Sequence, residues 1–456
     1  NKYNEITKCY SKTLLYISAK KRKQMEEKRM RTKKYAKMMA IVLAAASLSG
    51  AGMNAMAEES YEPVTVKFWN GWSGNDGEVL MDMVDEFNDE NPYNITIEMD
   101  INSDFQNKIA ASFAADEGPD MIIGVHTYKF TYPDYLIDMN EVFDKTSLEK
   151  GDWVQSMMDT CSLDDKTYIL PFQCTGRYMY WNKDLFEAAG LDPDTPPASY
   201  EEWTEMASKI TDADKNVYGS GISYTDVSSN LQVMQRFGGQ YLSLTDDGGY
   251  SPNFEGNAGY KKFLEWFKGM MDSGDNPMES DTSAMMTAGQ VGIMCSGAWL
   301  NQGLQEVGLN YGVSVLPYGD AGAMNPCTVA GFAVTKYASE EAKEACFRFI
   351  EWWYKGFEDT DTTAVEHWSL DLGYPSVYTP VTQDERYKTS ELLMAMTADP
   401  DVDTAYMAPS SFPEPFLLAN EVIDPLIQSV IAQGADVDEA LTKAQSDAVA
   451  VIEKIK

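Results

Sequence analysis

The chain has 456 residues, with 36 Lys+Arg against 71 Asp+Glu and a formal net charge of −35. Such a field repels nucleic acid and anionic lipid headgroups, which excludes both as partners. Composition is 44% hydrophobic and 12% aromatic, rich enough to fold around sizeable cores, and the length suits two domains or lobes.

In chain order, Arg31, Lys33, Lys34 and Lys37 precede an apolar run from Met38 to Leu48. Small residues then lead to Ala55-Met56-Ala57 before Glu58-Glu59. This is the layout of a secretory signal peptide cleaved after Ala57, with an apolar run too short for a stable membrane span. A second basic cluster, Lys20 to Lys23, lies upstream, and translation is expected to begin at Met25 or Met30. Leu48-Ser49-Gly50 approaches a lipoprotein cleavage site, but Ala51 stands where the acylated cysteine would be. Without that thiol no thioether lipid anchor forms, so the protein is expected to be exported and soluble, or held by an uncleaved signal. Removing the 13 basic and 3 acidic residues of positions 1–57 from the totals leaves 23 against 68, a net charge near −45. That balance disfavours an anionic ligand unless a local basic pocket overrides it.

After the signal come Cys161, Cys174, Cys295, Cys327 and Cys346. Odd in number and without CxxC spacing, they exclude a disulfide framework, allow one pair and offer no zinc site. Two histidines, His126 and His367, are too few for a His-based metal site or a catalytic triad. Asp212-x-Asp214-x-Asn216 echoes a calcium loop but lacks its sixth-position glycine and its acidic twelfth ligand, where Ser223 stands; it reads as a turn. No metal or cofactor is expected.

Val64, Val66 and Phe68 alternate as a strand, and Val79, Met83 and Phe87 then fall at helical spacing until Asn91-Pro92. Ile95, Ile97 and Met99 form a second strand, Phe105, Ile109 and Phe113 a second helix, and Met121 to Ile123 a short buried strand. This βαβαβ order predicts a parallel sheet with ligands bound off the carboxyl ends of its strands, at the loops 69–74 and 124–128. A further crossing is predicted at Tyr168 to Phe172, leading through Arg177 to Trp181. Gly190 ends a short helix, and Ser199-x-x-Glu202 is a capping box opening another. More helices are expected at 257–272, 339–355, 414–433 and after Val437.

Taken together, Val66-Lys67-Phe68-Trp69, Phe87 to Pro92, Gly118 to Ile122, Leu170-Pro171-Phe172, Trp181 to Phe186 and Met294 to Trp299 make the chain resemble the extracellular solute-binding proteins of family 1. Tyr311 to Pro317 and Gly331-Phe332 extend the match to nearly the whole exported chain. The resemblance implies an α/β, two-lobed periplasmic-binding-protein-like fold, each lobe a mainly parallel sheet flanked by helices, joined by a multi-strand hinge. It places lobe 1 at 58–173 plus about 316–365 and lobe 2 at 174–315 plus about 366–456, after the N-terminal extension and signal of 1–57. It also implies a monomer that closes on a carbohydrate and docks onto an ABC permease pair powered by an ATPase.

Sugars present apolar faces and hydroxyl rims, so aromatic platforms and planar polar groups mark candidates. Trp72 lies between glycines in a strand-end loop, and Trp299 falls where the family's maltose receptor has a stacking tryptophan. Trp368, Tyr374 and Phe412 are further aromatic candidates. Ser73, His126, Thr127 and Thr175 occupy segments that contact sugar in the family, with Arg177 as a hydroxyl or carboxylate contact. Ser73 and Thr175 replace charged residues of the maltose receptor, which argues for another sugar. Trp203, Trp266, Trp352 and Trp353 lie in amphipathic helices and read as core. Two alternatives remain open: an exported glycoside hydrolase, and an ABC receptor for a non-sugar solute.

Overall fold

Residues 61–322, 327–358, 360–397, 412 and 415–455 are described by the computed structural model. The signal segment, Ala51, Cys9 and the proposed starts at Met25 and Met30 lie outside them. Strand β1 (Val64–Asn70) buries Val66 and Phe68 and turns Thr65 and Lys67 to solvent, as its alternation predicts. Helix α1 (Asn75–Glu90) buries Leu80, Met83, Val84 and Phe87. It stops at Asn91, whose backbone N–H and side-chain amide both donate to the Phe87 carbonyl ahead of Pro92. Strand β2 (Ile95–Ile101), helix α2 (Phe105–Ala114) and strand β3 (Met121–Val125) complete the expected βαβαβ unit.

Strand β4 (Leu170–Thr175) runs into β5 (Tyr178–Asn182) after only Gly176 and Arg177. Beyond it come helix α3 (Tyr200–Ile210), β6 (Tyr218–Ser220), helices α4 (Val227–Gly238) and α5 (Ala258–Asp272), and β7 (Val291–Ser296). Helix α6 (Leu300–Val307) and β8 (Tyr311–Val315) precede β9 (Thr328–Val334) and helix α7 (Glu340–Lys355). Helices α8 (Glu391–Met396), α9 (Asp424–Ile431) and α10 (Val437–Ile455) follow. The helix expected at 414–433 is interrupted by a π turn over Ala419–Ile423, just before Pro425, which has no N–H to continue the ladder. The capping box at Ser199 is shifted: its hydroxyl accepts from Glu202 N, but Glu202 reaches back to Ala198 N.

Two sheets organise the molecule, ordered β2-β1-β3-β9-β4 and β8-β5-β7-β6. In each, one strand is reversed. β9 runs antiparallel to β3 and β4, and β5 antiparallel to β7 and β8. The cause is topological. A chain leaving the carboxyl edge of one sheet enters the other at the same edge, so its first strand there must run away from it. The register fixes this: Tyr178, at the start of β5, pairs with Ser296 and Val315, the ends of β7 and β8. Thr328, at the start of β9, pairs with Thr175, the end of β4. Both carboxyl edges therefore meet where the chain crosses, as the ligand-edge expectation requires.

Two core clusters pack the sheets, the first also taking in Val291 and Met294 of β7. Phe68, Phe87, Phe332, Phe349 and Trp353 centre the first, and Trp203, Phe237, Phe263, Leu426 and Val451 the second. Full burial of side chains this size contributes roughly 1.5–3 kcal/mol each. Along β5 the residues alternate between the two, Tyr178 and Tyr180 facing the first core and Met179 and Trp181 the second. Trp203, Trp352 and Trp353 are buried as expected of core residues.

Candidate ligand-binding cleft

On the first sheet's edge, β1 ends in Asn70, fully buried, whose side-chain oxygen accepts from Trp72 N at 3.0 Å and so turns the loop. Gly77 braces that loop: a Cβ there would sit 2.0 Å from the Trp72 carbonyl oxygen. The half-buried Trp72 indole lies face-on to Trp368 at 5.8 Å and 20°, and Trp368 stacks on Tyr374 at 4.4 Å and 26°. Trp368 is fully buried on a π-helical turn, His367–Asp371, and its Nε1 donates to Gln173 Oε1 at 2.8 Å. Tyr374 is also buried. The three candidates are thus one aromatic ladder of which only Trp72 is partly open. Trp368 and Tyr374 stand behind Trp72 in this ladder, both buried.

On the second sheet's edge, β7 ends in Ser296, and Gly297 lets the chain pass under the half-buried Trp299 indole: a Cβ at 297 would stand 1.9 Å from Trp299 Cζ3. The Arg177 guanidinium lies 4.4 Å from the Trp299 ring centroid, a cation–π geometry. Arg177 is held by α4. Its Nε donates to Ser229 Oγ at 2.9 Å and its backbone N–H to Gln232 Oε1 at 3.0 Å. Ser229 Oγ in turn donates to Asp226, which caps α4 by accepting from Ser229 N. Asp226, Ser229 and Gln232 were absent from the sequence-derived set. The one local signal for them was the Asp-x-x-Ser cap before a helix whose polar residues Asn230, Gln232 and Arg236 are buried.

The remaining candidates divide. His126 is 5% exposed, with its N–H donating to Val329 O at 3.0 Å and its Nδ1 accepting from Val329 N at 3.2 Å. Burial, reinforced by the nearby Lys129 charge, pushes its pKa down to about 3, so the ring is neutral. It anchors β3 to β9 through Val329. The adjacent Thr127 Oγ1 is buried with no hydrogen-bond partner among the described residues. Thr175 is buried at the crossing, and Ser73 is exposed in the Trp72 loop. Phe412 is buried in the second core against Tyr250, 5.0 Å between ring centroids. Asp76, also missed, stands close enough that its charge raises the Tyr374 pKa, after the larger effect of burial. Burial raises its own pKa against three backbone hydrogen bonds.

Among the described residues no group of three or more His, Cys, Asp or Glu could hold a metal ion. Asp212 accepts from Lys215 N and forms an ion pair with its ammonium, and Asn216 is left-handed, so the calcium-loop echo is a turn before β6. Among the same residues no helix is long and apolar enough to cross a membrane.

The model of the bacterial extracellular solute-binding protein family matches residues 82–395. The chain belongs to this family. The maltotriose-binding protein of Pyrococcus abyssi is 24% identical over 358 residues, 76% of this chain and 73% of that protein. An ABC transporter solute-binding protein of Thermotoga lettingae, solved with α-D-tagatose, superposes with a TM-score of 0.70 at 19% identity over 85% of this chain and 99% of its own. UgpB of Mycobacterium tuberculosis, solved with glycerophosphocholine, gives 0.70 at 18% identity over 87% and 99%. These likenesses establish the two-lobed fold.

Proposed function

We propose that the protein is the extracytoplasmic receptor of an ABC importer, that it closes two lobes on a sugar or oligosaccharide, and that it releases that sugar unchanged to a permease pair driven by an ATPase. One observation carries this reading. Two half-buried indoles, Trp72 and Trp299, stand on the carboxyl edges of the two sheets, each braced by a glycine that admits no side chain. Rigid aromatic faces on opposing edges suit the apolar faces of a sugar ring. Kinship with a maltotriose-binding protein supports the same ligand class.

The proposed lobes divide between Thr175 and Tyr178 and between Val315 and Thr328. Tyr378 packs on Trp153 and Tyr354 of the first core, and α8 packs on β8. The third crossing is therefore assigned between Tyr378 and Glu391 rather than near 365. Arg177 favours a second reading, an anionic solute such as a glycerophosphodiester, whose charge the guanidinium would meet.

Thermal unfolding and isothermal titration against neutral mono- and oligosaccharides, uronates and glycerophosphodiesters separate these readings. A sugar receptor gives a saturable rise in Tm set by occupancy, with the sugar recovered intact. Trp299→Ala should weaken that binding by about tenfold or more. A response confined to the anionic ligands favours the second reading, and turnover of any glycan refutes the receptor assignment.

A further inference from the structure

Cys174 lies on β4, one residue before its end, and Cys327 immediately precedes β9. The two strands are hydrogen-bonded neighbours, with Val329 opposite Cys174. Both thiols are buried, at 2% and 7% exposure, and their Sγ atoms are 3.0 Å apart. A disulfide needs them at about 2.05 Å, so a small rotation of the two side chains brings them into bonding range. Cys161, Cys295 and Cys346 sit elsewhere, after a short helix, in β7 and in α7. The position is notable for what it joins. Cys174 precedes the first crossing between the sheets, and Cys327 ends the second.

We propose that Cys174 and Cys327 join in a disulfide outside the cytoplasm, where the family operates and thiols meet oxidants, and that the bond clamps together the first-sheet ends of two crossings. With a small-molecule disulfide as oxidant the step balances. One protein thiolate attacks the oxidant's S–S bond and expels one small thiolate. The second protein thiolate then attacks the mixed disulfide and expels the other. Two protein thiols are oxidised, and two small thiols carry away the protons and electrons. At these two crossings, lobe motion is then confined to the linking residues beyond the bond, Gly176 and Arg177 on one side and residues 316–322 on the other. This inference does not depend on which solute is bound.

The test takes the full chain, purified reduced and then incubated with oxidised glutathione. Thiols are blocked with iodoacetamide in denaturant, and the protein is digested with trypsin and a glutamyl endopeptidase, which cuts at Glu306 between Cys295 and Cys327. The expected product is the peptide 167–177 linked to the one carrying Cys327, with alkylation of both cysteines reduced about tenfold. Cys161, Cys295 and Cys346 should label as in the reduced protein. Oxidation should raise Tm by about 5 °C, reversibly with dithiothreitol, and Cys174→Ala should abolish that shift. If Cys174→Ala fails to fold, Cys327→Ser serves the same purpose. Full alkylation of Cys174 and Cys327 after oxidation, or a bond from either to another cysteine, overturns the proposal.

Discussion

His126 offers a sharp test because its ring is buried neutral and its anchoring bond needs no proton. The unfolded chain should titrate it near the ordinary value of 6.5, whereas in the folded protein burial and the Lys129 charge hold it at about 3. Above pH 6.5 both states are neutral and the group is silent. As pH falls from there towards 3 the unfolded state gains a proton that the folded state refuses, so stability is lost at about 1.4 kcal/mol per pH unit. Between pH 7 and pH 5 the loss is roughly 2 kcal/mol. The informative substitution is His126→Asn, whose side-chain oxygen can stand near Nδ1 and accept from Val329 N without titrating. Urea unfolding followed by circular dichroism at pH 7 and pH 5 gives the four free energies needed. The variant should lose about 2 kcal/mol less than the parent on acidification, since carboxylates such as Asp76 are common to both and cancel. Equal losses in the two proteins would refute the buried, neutral anchor.

Gly297→Ala should disturb the cleft without emptying it. The new Cβ would meet Trp299 Cζ3 at 1.9 Å, and the indole must swing out to the 3.4 Å of ordinary contact, off the Arg177 guanidinium. Sugar affinity measured by isothermal titration should fall about tenfold or more, while unchanged affinity would remove Trp299 from the site. Trp368→Ala should act on stability first: it deletes the fully buried middle rung of the ladder and strands Gln173. A loss of about 3–5 kcal/mol in denaturant unfolding is expected, and a loss below about 1 kcal/mol would contradict the packing described.

Much of the architecture was readable from local pattern. The alternation in β1 and β2 and the spacing of Val79, Met83 and Phe87 belong to single elements, so a single stretch of sequence carries them. Trp368 shows where such reading stops. It is covered by Trp353 and by Trp72 and Phe172 from distant segments, and nothing in its own neighbourhood distinguishes it from the half-buried Trp299. His126 shows another limit: its ring accepts from Val329 N, more than two hundred residues away, a partner that no local pattern names. The α4 residues that hold Arg177 leave only the Asp-x-x-Ser cap as a local signal, since Ser229 and Gln232 meet it across some fifty positions. The reversal of β5 and β9 follows from the crossings and has no signature in the composition of either strand.

Strand β9 fills the gap between β3 and β4, although about 150 residues of chain separate it from β4. During synthesis, then, the first sheet waits for a missing middle. Until residue 334 has emerged, β3 and β4 lack the strand that pairs with their inner edges. Pairing so remote in sequence is slow to form. The order of the strands therefore makes the last strand to arrive the one that completes the sheet.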